Sequence, residues 1–591
     1  MARAPWQRTH RIGALSEAQI GQKVVLNGWV AKRRNMGGIY FLDIRDRFGL
    51  AQVLLTGTEE RIGWSMAEGE ILSPEDVLSV TGTVRRREQP NPDLPTGQIE
   101  VLAERVEVLS RSPLPPFEIE RNSEANVELR LRYRYLDLRR PDMQEKLAFR
   151  SRFIGAMRNA FLQRDFLEVE TPILTRATPE GARDYLVPSR VHAGSFYALP
   201  QSPQIFKQIL MVAGMDRYFQ VARCFRDEDL RADRQPEFTQ LDMEMSFAEE
   251  EDIYETWEGV LRDTFRDAME VELPEHFPRL TWHEAMTRYG VDKPDTRFGL
   301  ELQDVGEWAA SCGFGVFEAA IAGGDSVQLL CLEGGAESYS RGAMKNLEKH
   351  ARDHGAKGLA WWKPGEEGGA AGPVAKFLEG EVGERLLAQV GGKSGDLLLF
   401  AAGPRPSCWR VLGELRVRIG RELGLASAGQ WNFLWVTEFP MFEWDEETQR
   451  YYSAHHPFTA PQDWNLSGDL NGMPSRSYDL VLNGWELGSG SVRIHRQDVQ
   501  QKVFHLLGIS KEEQQLKFAF LLEALSYGAP PHAGFAIGLD RLVALSLGMD
   551  SIRDVVAFPK TLQAVDLMCQ APSPVESQLL TDVHIQLRQE P

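Results

Sequence analysis

The sequence predicts a multidomain α+β protein with an N-terminal β-barrel of the OB-fold type and a large α+β segment from about residue 138. Three observations support this prediction. The chain has 591 residues, more than one hydrophobic core usually serves. Its first 110 residues hold short β-rich segments separated by turn residues. Between about residues 296 and 427 the composition shifts toward glycine and alanine, with no catalytic motif.

Five short segments predict the barrel strands, at residues 24–30, 40–44, 51–54, 77–84 and 98–102. Barrels of this type present a sheet face on which bases stack. A barrel without a ligand is the alternative that five strands alone leave open. Basic residues cluster at 32–34 and 85–87, each just after a strand-like run.

Charge and composition restrict the class of protein. The formal net charge is −19, yet residues 1–110 carry 14 Lys plus Arg against 14 Asp plus Glu, so a local basic face can still bind RNA. We expect no DNA partner. No apolar run is long enough to span a bilayer and no signal peptide begins the chain, which predicts a cytoplasmic protein without a membrane partner. Five scattered cysteines argue against a disulfide framework or structural zinc.

The later segments follow in order along the chain. A Pro-rich stretch at 113–116 and a charged helical stretch at 123–136 predict a hinge. Helical periodicity at 143–164 leads into a strand at 166–172, and alternating apolar residues predict strands at 218–224 and 238–245. The remaining predicted strands are 433–436 and 534–538, the second running into a helix from residue 539.

The segment from Phe225 to Glu244 carries three arginines and a row of carboxylates around a probable hairpin. Strand geometry would aim Arg226 and Phe238 into one cavity. A planar guanidinium suits a phosphate oxygen and an aromatic face suits an adenine ring, so the pair indicates an ATP site. A solvated loop with surface salt bridges is the alternative for such a charge run taken alone.

This stretch resembles motif 2 of the class II aminoacyl-tRNA synthetases in their bacterial aspartyl form. Further motifs of that family follow in order, so the resemblance covers nearly the whole chain. They are Phe166-Leu-Glu-Val-Glu-Thr-Pro172, Thr178-Pro-Glu-Gly-Ala-Arg-Asp184, Gln201-Ser-Pro-Gln-Ile-Phe-Lys207, His455-His-Pro457, Asn483-Gly-Trp-Glu-Leu-Gly-Ser-Gly-Ser-Val-Arg493 and Gly538-Leu-Asp-Arg541. One departure is Gly488-Ser-Gly-Ser491, where the family commonly has Gly-Gly-Gly-Ser.

The resemblance implies the domain organisation. Residues 1–112 correspond to an OB-fold anticodon-binding domain and 113–137 to a hinge. Residues 138–295 and 428–562 correspond to the class II catalytic domain, an antiparallel sheet with flanking helices. Residues 296–427 correspond to an inserted α+β domain, and 563–591 to a C-terminal extension. Because motif 1 builds the subunit interface in this family, a homodimer is also implied.

For ATP, the resemblance assigns Arg226 to the α-phosphate and Arg541 to the γ-phosphate, both as catalytic cations, and Phe238 to adenine. Asp479 and Glu486 match the acidic pair that holds Mg²⁺ against the phosphates. The other ATP-binding candidates are Asp227, Glu228, Gln235, Glu486, Gly538 and Asp540.

For the amino acid, the resemblance implies recognition by charge, because aspartate and asparagine are nearly isosteric. Lys207 and Arg493 match the two cations that clamp the side-chain carboxylate of aspartate, and asparaginyl enzymes lack this lysine. The other aspartate-binding candidates are Glu180, Ser202, Gln204, Asp242 and His456.

For tRNA, Phe41 and Gln52 match positions that stack on and hydrogen-bond anticodon bases. A core position is the alternative for Phe41 taken alone. The polar surroundings of these bases match Arg34, Arg85, Arg87 and Glu100.

The implied reaction forms aspartyl-adenylate from L-aspartate and ATP, and then transfers the aspartyl group to the 3′ end of aspartate tRNA. An asparaginyl enzyme is disfavoured by Lys207, a tRNA-independent ligase by the barrel, and a catalytically dead RNA-binding paralogue by the intact ATP residues. A relaxed enzyme that also charges asparagine tRNA stays open, although Met36 resembles the apolar residue of strict enzymes.

Overall fold

The structure is a computed structural model that describes residues 6–37, 39–56, 72–178, 181–231, 233–365, 370–427 and 429–588. The chain divides into two compact units. The first comprises Met1–Ser151, Leu230–Gln235 and Leu547–Glu576, and the second comprises Arg152–Asp229, Pro236–Ser546 and Ser577–Pro591. None of the helices in these described ranges combines the length and the apolar composition that a bilayer crossing requires.

The first unit contains a closed barrel. Its strands are β1 (Lys23–Met36), β2 (Ile39–Asp46), β3 (Gly49–Leu55), β4 (Val77–Arg86) and β5 (Ile99–Ser110), in the order β1-β2-β3-β5-β4. Alternate apolar residues of all five strands fill its core. The predicted barrel is confirmed, and each strand is longer than predicted because pairing continues into polar residues such as Arg33 and Arg105.

The stretch predicted as a hinge helix is two short helices, α1 (Val127–Arg132) and α2 (Arg134–Asp137). A buried carboxylate holds this segment together. Asp137 accepts hydrogen bonds from Arg130, Arg134 and Arg140. Such charge-assisted bonds are stronger than neutral ones, so the segment is ordered around one anion.

Helix α3 (Pro141–Leu162) precedes the second unit's first strands, β6 (Leu167–Glu168), β7 (Leu186–Pro188) and β8 (Phe196–Ala198). The strand predicted at 166–172 is therefore too long. Only β6 pairs with the sheet, in parallel with β9 at the edge, because the extent of edge pairing depends on the neighbouring strand and not on local periodicity. The next elements are α4 (Gln204–Val212), β9 (Arg217–Phe225), β10 (Glu237–Ser246), α5 (Glu250–Met269), β11 (Arg279–Thr281) and α6 (Trp282–Tyr289).

A separate four-stranded sheet follows, as the fold class predicted for an inserted α+β domain. Its strands are β12 (Leu302–Asp304), β13 (Ser326–Leu332), β14 (Ala360–Trp362) and β15 (Leu397–Gly403), in the order β12-β13-β15-β14. Its helices are α7 (Gly306–Ala309), α8 (Gly315–Ala322), α9 (Gly335–Ser338), α10 (Arg341–Asp353), α11 (Glu381–Val390) and α12 (Arg405–Glu422). Alternate residues of β13 and β15 enter two hydrophobic clusters, so both faces of this sheet are covered.

The large sheet of the second unit is completed by the end of the chain. Its last strands are β16 (Phe433–Thr437), β19 (Ser477–Leu482), β20 (Trp485–Val492) and β21 (His532–Gly538), while β17 (Phe442–Asp445) and β18 (Arg450–Ser453) pair only with each other. The helices are α13 (Gln497–Leu506), α14 (Lys511–Leu525), α15 (Leu539–Ser546) and α16 (Ser577–Asp582). The sheet has the order β11-β16-β19-β20-β21-β10-β9-β6 and is antiparallel except at its two edge pairs.

Candidate active site and nucleic-acid interface

A buried lysine lies between two buried carboxylates in the second unit. Lys207, on the first turn of α4, donates from Nζ to Asp242 Oδ1 at 3.0 Å and lies 3.4 Å from Glu244 Oε2. Asp242 and Glu244 are two residues apart on β10, so their side chains leave the same face of the strand. One face of β10 therefore carries the acidic half of a charged cluster.

A second buried cation completes this cluster. Arg493, directly after β20, donates from Nε to Glu244 Oε1 at 2.9 Å and from Nη1 to Ser491 Oγ at 2.8 Å. Burial alone would raise the pKa of Glu244, but the charges of Arg493 and Lys207 outweigh it and lower that pKa. Glu244 is therefore an ionised bridge between the two cations predicted to clamp aspartate.

Glycine makes room for this bridge. A Cβ at Gly534, on β21, would lie 1.7 Å from Glu244 Oε2 and 2.7 Å from the backbone oxygen of Met243. Real atoms do not approach so closely, so a larger residue would displace the Glu244 carboxylate. Glu244, Ser491 and Gly534 were not predicted as site residues. Strand alternation from Asp242 was the available signal for Glu244.

Among the other predicted aspartate-binding residues, Asp242 belongs to this cluster, and Ser202 and Gln204 lie shortly before Lys207 in the chain. Burial raises the pKa of Asp242 despite Lys207, and Asp242 Oδ2 has no hydrogen-bond partner among the described residues. The Ser202 hydroxyl accepts from the backbone N–H of Gln204, at the start of α4. Glu180 lies outside the described residues. Asp242 therefore has one carboxylate oxygen, Oδ2, that can accept a hydrogen bond from a ligand next to Lys207.

His456 is held as a neutral ring close to the two cations. Loss of hydration, followed by the charges of Arg493 and Lys207, lowers the pKa of His456 to about 3. The backbone N–H of Phe458 donates to His456 Nδ1 at 3.2 Å. The proton of the neutral ring is thereby placed on Nε2.

Arg226 and Phe238 face each other at the loop end of the β9–β10 hairpin. The guanidinium carbon of Arg226 lies 5.0 Å from the centroid of the Phe238 ring. The backbone N–H of Arg226 donates to Pro236 O, which fixes the register, and Arg226 Nε is buried without a hydrogen-bond partner in the described part of the chain. A guanidinium that has a spare N–H donor thus lies beside an aromatic ring, the arrangement that the ATP prediction requires.

The start of α15 is tied to this hairpin. Asp540 Oδ2 accepts from the backbone N–H of Thr239 at 2.8 Å, next to Phe238, and Gly538 lies opposite Gln240 in the ladder. Arg541 donates from Nη1 to the backbone oxygen of Glu486 on β20. The structure therefore brings the arginine of motif 3 to the strand that carries one of the two predicted metal ligands.

The remaining predicted ATP residues are Asp227, Glu228 and Gln235. Asp227 forms an ion pair with Arg183, at 3.6 Å, and no second ion pair of Asp227 is present among the described residues. Glu228 is half-buried. Gln235 belongs to the first unit, where its amide exchanges two hydrogen bonds with the backbone of Lys560.

The predicted Mg²⁺ ligands form an acidic pair on neighbouring strands. Asp479 on β19 is buried, and its pKa is raised well above the ordinary value by burial and by the charge of Glu486 on β20. Its Oδ1 has no hydrogen-bond partner in the described ranges, while Ser489 opposite it hydrogen-bonds the carboxylate. Hard oxygen donors with an orphaned buried oxygen fit Mg²⁺. Ser489, the departure from the family pattern, fits the site as a partner of Asp479.

The predicted anticodon residues form one polar network on the outer face of the barrel. Gln52 accepts from Arg34 and Arg87, at 3.2 and 2.7 Å, and donates to Glu100 at 2.7 Å. Glu100 also accepts from Arg85 at 2.8 Å. All five predicted polar residues therefore meet on one surface.

Two further residues define that surface. Phe41 is half-buried and lies outside the barrel core, which contains its neighbour Leu42, so the core alternative for Phe41 is not supported. Asp43, which the sequence analysis missed, lies two residues on and accepts from Arg34 at 3.4 Å. Burial raises the pKa of Asp43, against the opposing charges of Arg34, Arg87 and Lys32.

Comparison with known proteins gives relatives along the full chain. An aspartate–tRNA ligase of Agathobacter rectalis is 51% identical over 586 residues, covering 98% of this chain and 97% of the relative. An aspartate–tRNA(Asp/Asn) ligase of a Geobacillus species is 50% identical over 588 residues, covering 99% and 98%.

Solved structures with lower identity share the fold. A putative aspartyl-tRNA synthetase from Leishmania major Friedlin has a TM-score of 0.58 at 19% identity, covering 95% of each chain. An asparaginyl-tRNA synthetase from Pyrococcus horikoshii, complexed with asparaginyl-adenylate, has a TM-score of 0.57 at 20% identity, covering 93% of this chain and 98% of the other.

Two families match the chain, and together they account for most of it. Residues 24–109 match the OB-fold nucleic acid binding domain, in agreement with the barrel. Residues 126–562 match the tRNA synthetases class II (D, K and N), in agreement with the large sheet and its motifs. The chain therefore belongs to the class II tRNA synthetases of the D, K and N group.

Proposed function

We propose that the protein attaches L-aspartate to the 3′ end of aspartate tRNA, using ATP and passing through an aspartyl-adenylate. The observation that carries the proposal is the buried cluster in which Lys207 and Arg493 flank Glu244. Two relatives that are 50–51% identical to this chain are named as ligases of aspartate and tRNA, which supports aspartate as the substrate. Cations rather than shape would select aspartate over its neutral amide.

The first step needs aspartate and ATP held in line. In this proposal Lys207 and Arg493 bind the side-chain carboxylate, and Asp242 Oδ2 accepts a hydrogen bond from the substrate ammonium. Asparagine would leave the two cations under-compensated, which is costly where water is excluded. The substrate α-carboxylate is then free to attack the α-phosphorus, with pyrophosphate as the leaving group.

The phosphates are proposed to lie between Arg226 and Arg541. The unpartnered Nε of Arg226 suits an α-phosphate oxygen, and the ring of Phe238 suits adenine. Arg541 would leave the backbone oxygen of Glu486 to reach the γ-phosphate. Asp479 and Glu486 would hold Mg²⁺, which supplies positive charge against the phosphate oxygens.

For tRNA, we propose that the outer face of the barrel binds the anticodon. Phe41 offers a stacking surface beside the network of Arg34, Gln52 and Arg87. An aromatic ring supplies affinity, and the amide of Gln52 can exchange its intramolecular bonds for bonds to a base edge.

We also propose that the protein acts as a homodimer. Large exposed apolar residues concentrate between the end of α3 and β8, and 41 to 71% of each such residue is exposed. They are Leu162, Leu167, Ile173, Leu174, Leu186, Val191, Phe196 and Tyr197. A concentrated apolar surface of this kind favours a self-complementary interface. Light scattering should give twice the 66.7 kDa chain mass.

The function is tested by charging purified aspartate tRNA and asparagine tRNA with labelled aspartate. We expect the first to be charged, and no charging of either would overturn the proposal. The second tRNA decides between a strict enzyme and a relaxed one, a possibility to which the name of the Geobacillus relative points.

A matched pair of lysine variants tests the clamp. Lys207→Ala should abolish aspartate-dependent pyrophosphate exchange while ATP still binds. Lys502→Ala, at an exposed position on α13, should leave the exchange unchanged. Near-normal exchange by the Lys207 variant would refute the role of this residue.

A further inference from the structure

Two helices beside the inserted sheet carry a cluster of side chains that could bind a metal ion and that the proposed reaction does not use. His350 lies on α10, His354 lies at its C-terminal end, and Glu414 lies on α12. One ring nitrogen of each histidine and one carboxylate oxygen of Glu414 all lie within 4.8 Å of one another. Histidines four residues apart on one helix face form a well-established metal-chelating pair.

Each histidine contributes one ring nitrogen to the cluster. His354 donates from Nδ1 to the backbone oxygen of His350 at 2.8 Å, which places the lone pair on Nε2, and this Nε2 lies 3.7 Å from Glu414 Oε2. A hydrogen bond from the second ring nitrogen to a carbonyl is the usual support of a metal-bound histidine. His350 Nε2 is buried and has no hydrogen-bond partner in the part of the chain that the structure describes.

We propose that His350, His354 and Glu414 bind one divalent transition-metal ion of the Zn²⁺ class. Imidazole nitrogen and carboxylate oxygen suit Zn²⁺, whereas Mg²⁺ and Ca²⁺ prefer ligand sets made of oxygen alone. Bond lengths of about 2.0–2.1 Å place tetrahedral donors roughly 3.4 Å apart. The donor atoms lie within 4.8 Å of one another, so side-chain rotations that shorten these distances by up to about 1.4 Å close the site. Water would complete the coordination.

The surrounding charges affect how tightly this site would bind a metal ion. Burial, and after it the positive charges of His354 and Arg418, lowers the pKa of His350, while Glu414 acts in the opposite direction. Arg418 is itself paired with Glu422 at 2.7 Å, and Arg410 donates to the backbone oxygen of His354. The positive charges of these nearby arginines would moderate the affinity for a cation.

A bound ion would join two helices that the hydrophobic core already brings together. Met344 and Leu347 of α10 and Leu412 and Leu415 of α12 belong to one buried cluster beneath the inserted sheet. The metal would add a link between α12 and the C-terminal end of α10, where the last carbonyl groups of a helix lack intrahelical partners. Binding to the folded state alone raises thermal stability.

The test measures metal content and stability on the full chain after chelator treatment. The protein is dialysed against Zn²⁺ with millimolar Mg²⁺ present, so that Asp479 and Glu486 are not counted. We expect the His350→Ala/His354→Ala variant to bind one equivalent less than the parent, and Zn²⁺ to raise the Tm of the parent only. Glu414→Gln, which preserves size, should weaken binding at least tenfold.

His505→Ala, at an exposed position on α13, is the matched control and should bind as much Zn²⁺ as the parent. Co²⁺ in place of Zn²⁺ should give the intense visible bands of a four-coordinate ion, absent from the double variant. Equal metal content in parent and double variant would overturn the proposal. Because no readout uses activity, failure here is independent of the proposed aminoacylation.

Discussion

Arg493 donates from Nε to Glu244 Oε1 at 2.9 Å, and both side chains are buried. The other oxygen of Glu244 lies 3.4 Å from Lys207 Nζ. The two cations proposed to bind the substrate carboxylate are thus already oriented by a carboxylate of the protein. Because the two side chains are already ordered, binding of a small ligand does not have to supply the free energy needed to order them.

Replacement of Glu244 by Gln should therefore destabilise the protein and impair aspartate use. It leaves Lys207 and Arg493 buried with Asp242 as the remaining carboxylate, and breaking a buried ion pair costs about 3–5 kcal/mol. We expect a lower Tm and a raised KM for aspartate in pyrophosphate exchange. Glu255→Gln, exposed on α5, should change neither quantity. An unaltered Tm for the Glu244 variant would contradict this account.

Gly534→Ala should reproduce part of that defect from a different strand. The added methyl group would occupy the position of Glu244 Oε2, so either the carboxylate or β21 must move. Overpacking of this kind typically costs about 1–3 kcal/mol. Denaturant unfolding measures the loss. The control is Gly342→Ala, on the exposed first turn of α10, where the nearest atom is 3.8 Å away and no loss is expected.

His456 should make the protein less stable in acid. Its pKa is about 3 in the folded protein and about 6.5 when unfolded, so below pH 6.5 the unfolded chain binds a proton that the folded chain does not. Stability from this group is present above pH 6.5 and falls by up to about 1.4 kcal/mol per pH unit below it.

His456→Gln should remove that contribution, since its amide oxygen can still accept from Phe458. The Tm of the variant should fall less than that of the parent between pH 7.5 and pH 5. Between pH 7.5 and pH 8.5 the two proteins should respond alike. Parallel losses in acid would show that His456 is protonated in the folded protein.

Phe41→Ala should weaken tRNA charging without affecting adenylate formation. Loss of one base-stacking ring costs about 1–3 kcal/mol, which is roughly a 5- to 150-fold rise in the KM for tRNA. Pyrophosphate exchange without tRNA should stay at the parental rate. Leu42→Ala is the informative comparison, because Leu42 is in the barrel core and its loss should lower the Tm instead.

Patterns confined to a few residues were predicted well. The five barrel strands and the β9–β10 hairpin follow from alternation along short segments, which depends only on the strand period. The prediction of a strand over 166–172 was wrong beyond two residues, because edge pairing depends on a neighbour that local periodicity does not reveal. Asp43 and Glu244 were missed although each lies two residues from a predicted site residue.

The order of motifs along the chain was sufficient to place this protein among the class II synthetases and to name most of its candidate site residues. The pairing of charges required the folded chain. Glu244 and Arg493 are 249 positions apart, and they meet because β10, β21 and β20 are neighbours in the sheet. A short-range pattern indicates on which face of a strand a residue lies. Which oppositely charged side chain it pairs with in the interior depends on the long-range packing of the strands.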